Sequence, residues 1–127
     1  MPGRRRQRGA AVVDFVLVLV LLVPVFLGVL QIGLVLYVRN TVTAAASEGA
    51  RYAATLDRKP ADGAGRTRDQ IDGVLAARYV RDVSARPVTI DGAPGVEVTV
   101  HVVVPALGLG GPAVSFDVSG HAIEERP

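Results

Sequence analysis

The chain has 127 residues, enough for about one domain, and half of them are hydrophobic although only 5% are aromatic. Its net charge is +2, but four of the fourteen basic residues are Arg4, Arg5, Arg6 and Arg8, which leaves ten basic against twelve acidic residues elsewhere. The excess positive charge therefore lies in the N-terminal tail, which argues against nucleic-acid binding. Because the chain has no Cys, disulfides, thiolate metal ligands and thiol nucleophiles are excluded.

A long uncharged segment follows this basic leader, residues 1–9. Residues 15–38 carry no charged side chain. As a helix, these residues would be about 36 Å long, whereas the hydrocarbon core of a bilayer is about 30 Å thick. A buried core helix is the alternative, but a chain this short has little polypeptide to cover such a helix on every side. We therefore predict one membrane-spanning helix that makes contact with the lipid bilayer.

The flanking charges predict the orientation of this helix. Four Arg precede it, whereas only Arg39 follows it before Arg51. By the positive-inside rule, the N-terminus is cytoplasmic and the C-terminal part lies outside a single-pass cell membrane protein. A cleaved secretory signal would have an apolar region of about 7–15 residues followed directly by a small-residue cleavage site. Here the apolar segment is longer, and Arg39 separates it from Ala44.

The helix is predicted to continue beyond the membrane, because residues 41–56 are rich in Ala and contain no Pro. Small residues recur there every four positions in two adjacent rows, which would allow another backbone to approach closely. Helix propensity of Ala alone is the alternative explanation. The rows are Ala45, Gly49 and Ala53, and Ala46, Ala50 and Ala54. The same face is the expected packing surface for a small sheet.

Two residues inside the apolar segment depart from its composition. Pro24 removes a backbone donor and is expected to bend the helix. Gln31 is polar and either hydrogen-bonds another helix or lies near the outer interface.

The remaining chain predicts a small α+β domain. Residues 57–66 are expected to form a linker, because Pro60, Gly63 and Gly65 are helix breakers. Thr67 and Gln70 have the spacing of a capping box that opens a short helix. Beyond Arg86 the hydrophobic period changes to two, which predicts strands over 87–91, 96–102 and 114–119, a turn over 92–95 and a loop over 105–112.

The predicted plan is thus a leader over 1–9, a helix over 10–56, a linker over 57–66 and an extracytoplasmic domain over 67–127. The fold class is α+β, in which a long N-terminal membrane-spanning helix extends beyond the membrane. A short helix and a small antiparallel sheet follow it.

The residue types of an active site are present but not in a catalytic arrangement. His101 and His121 are expected to be solvated rather than to bind metal. Ser115, Asp117 and His121 lie on one strand face, which is not nucleophile–base geometry. The glycines of residues 108–111 lack the Lys and the helix of a phosphate loop. We therefore predict no enzyme activity, no metal and no cofactor.

Two segments resemble a known family. Residues 8–15, Arg-Gly-Ala-Ala-Val-Val-Asp-Phe, resemble the processing site of type IV pilin-like precursors, in which a Gly precedes an acid by five residues and an apolar helix follows. Residues 46–54, Ala-Ser-Glu-Gly-Ala-Arg-Tyr-Ala-Ala, resemble the segment after the membrane helix in TadE-like proteins. Those are pseudopilins of the tight-adherence (Flp-type) pilus system, and the resemblance covers roughly residues 8–54.

The resemblance implies a pilin-like architecture and a processing step. A prepilin peptidase would cut between Gly9 and Ala10, and Asp14, where the family usually has Glu, would become the fifth residue. This carboxylate would meet the N-terminal amine of a neighbouring subunit, because each buried charge alone costs several kcal/mol.

The function that the resemblance implies is that of a minor pseudopilin-like component of a pilus assembly or secretion apparatus. Its partners would be other pilin or pseudopilin subunits and pilus-assembly membrane proteins. The residues expected at subunit contacts are Asp14, Gln31 and the two rows Ala45, Gly49, Ala53 and Ala46, Ala50, Ala54. The alternative is a signal-anchored sensor or ligand-binding module that binds through its sheet or through the loop over 105–112.

Overall fold

A computed structural model describes residues 2–55, 57–106 and 113–125 of the chain, with side chains from Arg6 onward. The elements in chain order are helix α1 (Pro2–Ala53), helix α2 (Pro60–Ile71), a 3-10 helix (Leu75–Tyr79) and the strands β1 (Val80–Ile90), β2 (Ala93–Pro105) and β3 (Ala113–Ile123). This order confirms the predicted α+β class, with a long N-terminal apolar helix, a short helix and an antiparallel sheet. The chain divides into two compact units, Met1–Gly33 and Leu34–Pro127.

The first unit is the N-terminal part of α1. The helix continues through Pro24, and every described side chain from residue 6 to residue 30 is exposed. Over Arg6–Ala53 the helix is long and apolar enough to cross a membrane, judged by length and composition. The structure is therefore consistent with the predicted span, while the orientation of that span stays a prediction.

The second unit is built around one face of a three-stranded antiparallel sheet with the strand order β1-β2-β3. Along β2, every second side chain is completely buried and points to the same face: Val96, Val98, Val100, Val102 and Val104. The residues of α1 that are completely buried with them are Val38, Val42, Ala46 and Ala50. The alternation predicted for residues 96–102 thus produces the core of this unit.

Helix α2 begins earlier than the sequence predicted. Residues 60–66, predicted to be a linker, belong to the helix. Pro60 suits the first helical position, because its fixed φ matches the helix and its missing N–H would have no partner there. The Asp62 carboxylate accepts a hydrogen bond from the Lys59 backbone N–H at 2.8 Å, which closes the first turn. Thr67 consequently lies inside the helix and does not cap it.

The strands are longer than predicted, and the first turn of the sheet lies at a different position. Asp91 and Gly92 both have positive φ, 49° and 82°, and Ile90 pairs with Ala93 across them. This is a two-residue hairpin connection, for which Asp-Gly is a preferred sequence. Residues 93–95, predicted to be part of the turn, therefore open β2. Residues 107–112, which contain most of the predicted loop and its glycines, lie outside the described residues.

Candidate functional site

The largest unusual surface of the chain is the apolar part of α1. From Val12 to Leu30, each large hydrophobic side chain exposes between 37% and 73% of its surface. Soluble proteins rarely expose contiguous apolar patches of this extent, because water disfavours them. The described polypeptide does not cover these side chains, which is consistent with a helix that crosses a membrane.

The predicted processing residues lie on this exposed part of the helix. Gly9 and Ala10 are exposed, and a Cβ built on Gly9 has no other atom within 4 Å. Asp14 is also exposed, and Gln31 is half-buried. Cleavage at Gly9, pairing of Asp14 with an amine and a subunit contact at Gln31 all stay predictions.

The two rows of small residues have a different environment from the one proposed for a subunit contact. All six residues are buried, with exposures from 0% to 6% among the five alanines. They lie against the chain's own α2 and sheet: a Cβ on Gly49 would be 2.6 Å from the carbonyl oxygen of Gly63, and one on Gly120 would be 2.6 Å from the carbonyl carbon of Ala46. The rows are occupied within the chain, as expected for packing of the small sheet, and a subunit contact at these residues stays a prediction.

A buried hydroxyl joins the two helices at the same place. Thr67 is completely buried, and its Oγ1 lies 2.8 Å from the carbonyl oxygen of Gly63 and 3.3 Å from that of Ala45. Gly49 leaves room for this side chain, because a larger residue there would overlap it. The small residues of α1 thus serve close helix–helix packing inside the chain.

The opposite face of the sheet carries polar side chains. Arg86, Glu97 and His121 form one row across the three strands. The Arg86 Nε donates to Glu97 Oε1 at 3.0 Å, and the His121 Nε2 donates to Glu97 Oε2 at 2.6 Å. Burial raises the pKa of the Glu97 carboxyl, but the hydrogen bonds from His121 and Arg86 and the charge of Arg86 outweigh burial and hold that pKa below its ordinary value.

A second histidine, His101, lies two rows away on the same face of β2, beyond Thr99. The His101 Nδ1 donates to Asp117 Oδ1 at 2.6 Å, and the Ser115 Oγ lies 3.4 Å from the His101 Nε2. The histidine beside Ser115 and Asp117 is therefore His101 on β2, and not His121 as their common strand suggested. The partner of His101 follows from the register of β2 with β3, which closes at the pair Pro105 and Ala113 and which the alternation alone does not give.

The second histidine cluster is open to solvent, since the side chains of His101 and Asp117 are 43% and 64% exposed. A serine nucleophile depends on preorganised donors in a water-excluded site, and the expectation that Ser115 is not one stays a prediction. Among the described residues, no group of three His, Asp or Glu side chains is arranged to hold a metal ion.

Comparison with protein families gives one match. A family model described as TadE-like protein matches residues 9–51, from the glycine of the predicted cleavage site to the arginine of Glu-Gly-Ala-Arg. This match confirms the resemblance over about a third of the chain, and it includes the whole exposed apolar surface. Comparisons with curated proteins and with solved structures gave no match.

Proposed function

We propose that this chain, which is TadE-like over residues 9–51, is a membrane-anchored component of a tight-adherence pilus assembly or secretion apparatus. The observation that supports the proposal is the exposed apolar surface of α1, which coincides with the matched segment. A surface of that length is suited to lipid and to the apolar helices of other membrane subunits.

In this proposal the chain acts by packing against other subunits. Because the rows at Ala45 and Ala46 are covered by the chain's own domain, we place the subunit contacts on the exposed part of α1. Gly28 and Gly33 have open space where a Cβ would lie, so a neighbouring helix backbone could approach closely there. Asp14 would supply a carboxylate for the amine of a neighbouring processed subunit.

The proposed topology places the N-terminus in the cytoplasm and residues 39–127 outside the membrane. The four arginines of the leader favour this orientation. A prepilin peptidase would then remove residues 1–9 at the cytoplasmic side, and the pseudopilin-like subunit would begin at Ala10.

The experiment that tests this proposal is the N-terminal sequence and intact mass of the protein recovered from its native membranes. We expect a start at Ala10 for the natural chain and an intact leader for Gly9→Leu. The matched control is Gly3→Leu, which changes another leader glycine and should leave cleavage unchanged. A chain that keeps its leader in all three forms would favour a static signal-anchored binding module. A start near Ser47 would show ordinary signal cleavage and would contradict membrane anchoring.

A further inference from the structure

Two contacts fix the direction of β3 relative to the covered part of α1. Gly120 lies directly against the backbone of Ala46 and Ser47, and the backbone N–H of Glu125 donates to the carbonyl oxygen of Ala54 at 2.8 Å. Residue numbers therefore increase in the same direction along both elements.

Because β3 and α1 run in the same direction, the position of the first residues of β3 along α1 can be calculated. From Gly120 back to Val114, β3 extends about 20 Å at roughly 3.3 Å per residue. Along a helix that distance takes about 13 residues. Val114 thus lies about level with residues 34–37 of α1. Leu34 and Val35 in this segment pack against the core that contains Val104, the partner of Val114.

On β2 and β3, this end of the sheet differs in charge from the rest of the second unit, whereas β1 begins at the same end with the exposed residues Arg81 and Asp82. Between His101 and Asp117 the sequence has no charged residue. Within this uncharged segment, β2 ends with Val104 and Pro105, and β3 begins with Ala113 and Val114. Val114 is 45% exposed although it is aliphatic.

The residues of α1 at the same level are those expected at a membrane surface. Leu36 and Tyr37 are 51% and 42% exposed, and Arg39 is the first charged residue after the apolar segment. Tyr is enriched where a helix leaves the bilayer. Residues 15–33 of the helix are about 28 Å long, which nearly spans a hydrocarbon core of about 30 Å. The outer membrane surface is thereby placed close to residues 34–39.

We propose that the sheet end formed by Pro105, Ala113 and Val114 rests in the outer lipid interface beside α1. This proposal rests on the proposed function, because it requires α1 to cross the bilayer. The partner is the lipid surface itself, since an uncharged edge with an exposed aliphatic side chain fits the boundary between headgroups and acyl chains. The contact would hold the domain against the membrane at the end where α1 enters it.

The test uses the natural lack of Cys, which allows one labelled position at a time. The full chain carrying Val114→Cys is labelled with an environment-sensitive fluorophore and placed in vesicles of phosphatidylethanolamine and phosphatidylglycerol, with and without doxyl-labelled lipid. The matched control is Ile123→Cys, an aliphatic residue that is 55% exposed at the other end of β3. Leu21→Cys reports whether α1 has entered the bilayer.

We expect blue-shifted emission and loss of fluorescence with doxyl lipid for Val114→Cys and Leu21→Cys, and neither for Ile123→Cys. Quenching at Leu21 without quenching at Val114 would overturn the lipid contact and leave the membrane span intact. The same result is expected if a protein subunit, and not lipid, covers Val114, and it would likewise overturn the lipid contact. No quenching at Leu21 would contradict the proposed function and the lipid contact together. Equal quenching at Val114 and Ile123 would also overturn the proposal. Circular dichroism of each variant verifies that the domain is folded.

Discussion

The two parts of α1 differ in side-chain size and in surroundings. In the first unit, residues 12–30 expose nearly every large apolar side chain, whereas in the second unit Val38, Val42 and the small residues beyond them are buried by α2 and the sheet. The first part is built from large side chains, which cover the helix backbone. The second is built from Ala and Gly, which let the chain's own elements approach closely. Side-chain size therefore decides which part of one helix packs within the chain.

The strongest test of this comparison is truncation. A chain that retains residues 34–127 keeps the whole second unit and should fold cooperatively. A chain that retains residues 58–127 loses Val38, Val42, Ala46 and Ala50, which cover the valines of β2, and we expect it to be unfolded. Circular dichroism during thermal denaturation distinguishes the two. A cooperative transition in the shorter piece would show that α1 is dispensable for the core.

Adding one methyl group at a glycine in each unit tests the difference in packing between the two units. In Gly120→Ala, the added Cβ would lie 2.6 Å from the carbonyl carbon of Ala46, and the neighbouring atoms are backbone that cannot rotate away. We expect a loss of about 3 kcal/mol in the free energy of unfolding, the upper part of the usual range for overpacking. The matched variant is Gly28→Ala in the exposed part of α1, which has open space at this position and should not destabilise the second unit. Urea denaturation in detergent measures both. Equal effects of the two would contradict the described packing.

The smallest expected effect concerns the open sheet face, which lies opposite the face that covers α1. Because the pKa of Glu97 is lowered in the folded chain, its contribution to stability is present above its ordinary pKa of 4.5 and is lost as the pH falls through the lowered value. We expect less than about 1 kcal/mol, since Arg86 and His121 are largely solvated.

The measurement for this prediction is the free energy of unfolding of residues 34–127 between neutral and acidic pH. Glu97→Gln should flatten the acidic part of the curve, whereas Glu125→Gln, at an exposed position without a side-chain partner described, should not. If the natural chain and Glu97→Gln had the same dependence on pH, the ion pairs with Arg86 and His121 would contribute nothing to stability.

The sequence predicts the parts of this fold that depend on hydrophobic periodicity. The uncharged run over 15–38 indicates the exposed helix, and the alternating valines from Val96 indicate the buried face of β2, because each pattern matches the period of its element. The start of α2 is not found in this way, since Gly63 is a helix breaker by propensity. Gly63 is favoured there because its missing Cβ allows α2 to lie close to α1, and that contact depends on tertiary structure.

Prediction of the side-chain pairs on the polar face of the sheet is limited by the strand register and not by composition. Reading residues 92–95 as the turn misses the connection at Asp91 and Gly92, although Asp-Gly between alternating segments is a known hairpin signal. That connection sets the β1–β2 register, which places Arg86 beside Glu97. The partners of His101 and His121 depend on the separate register of β2 with β3, which the strand patterns alone do not give. The small-residue rows on α1 are recognisable from the sequence as a packing surface for the sheet, whereas the contact of Gly49 with α2 is not.

The contact between Gly120 and Ala46 also has a kinetic consequence. It joins the last strand to the first helix across most of the folded unit, whereas β1 and β2 are joined by only two residues. Contacts between distant positions form slowly, because a long segment of chain must be ordered before they contribute. We therefore expect the β1–β2 hairpin to form early and the docking of β3 on α1 to complete folding, so that the domain reaches its native state only after its C-terminal strand has emerged.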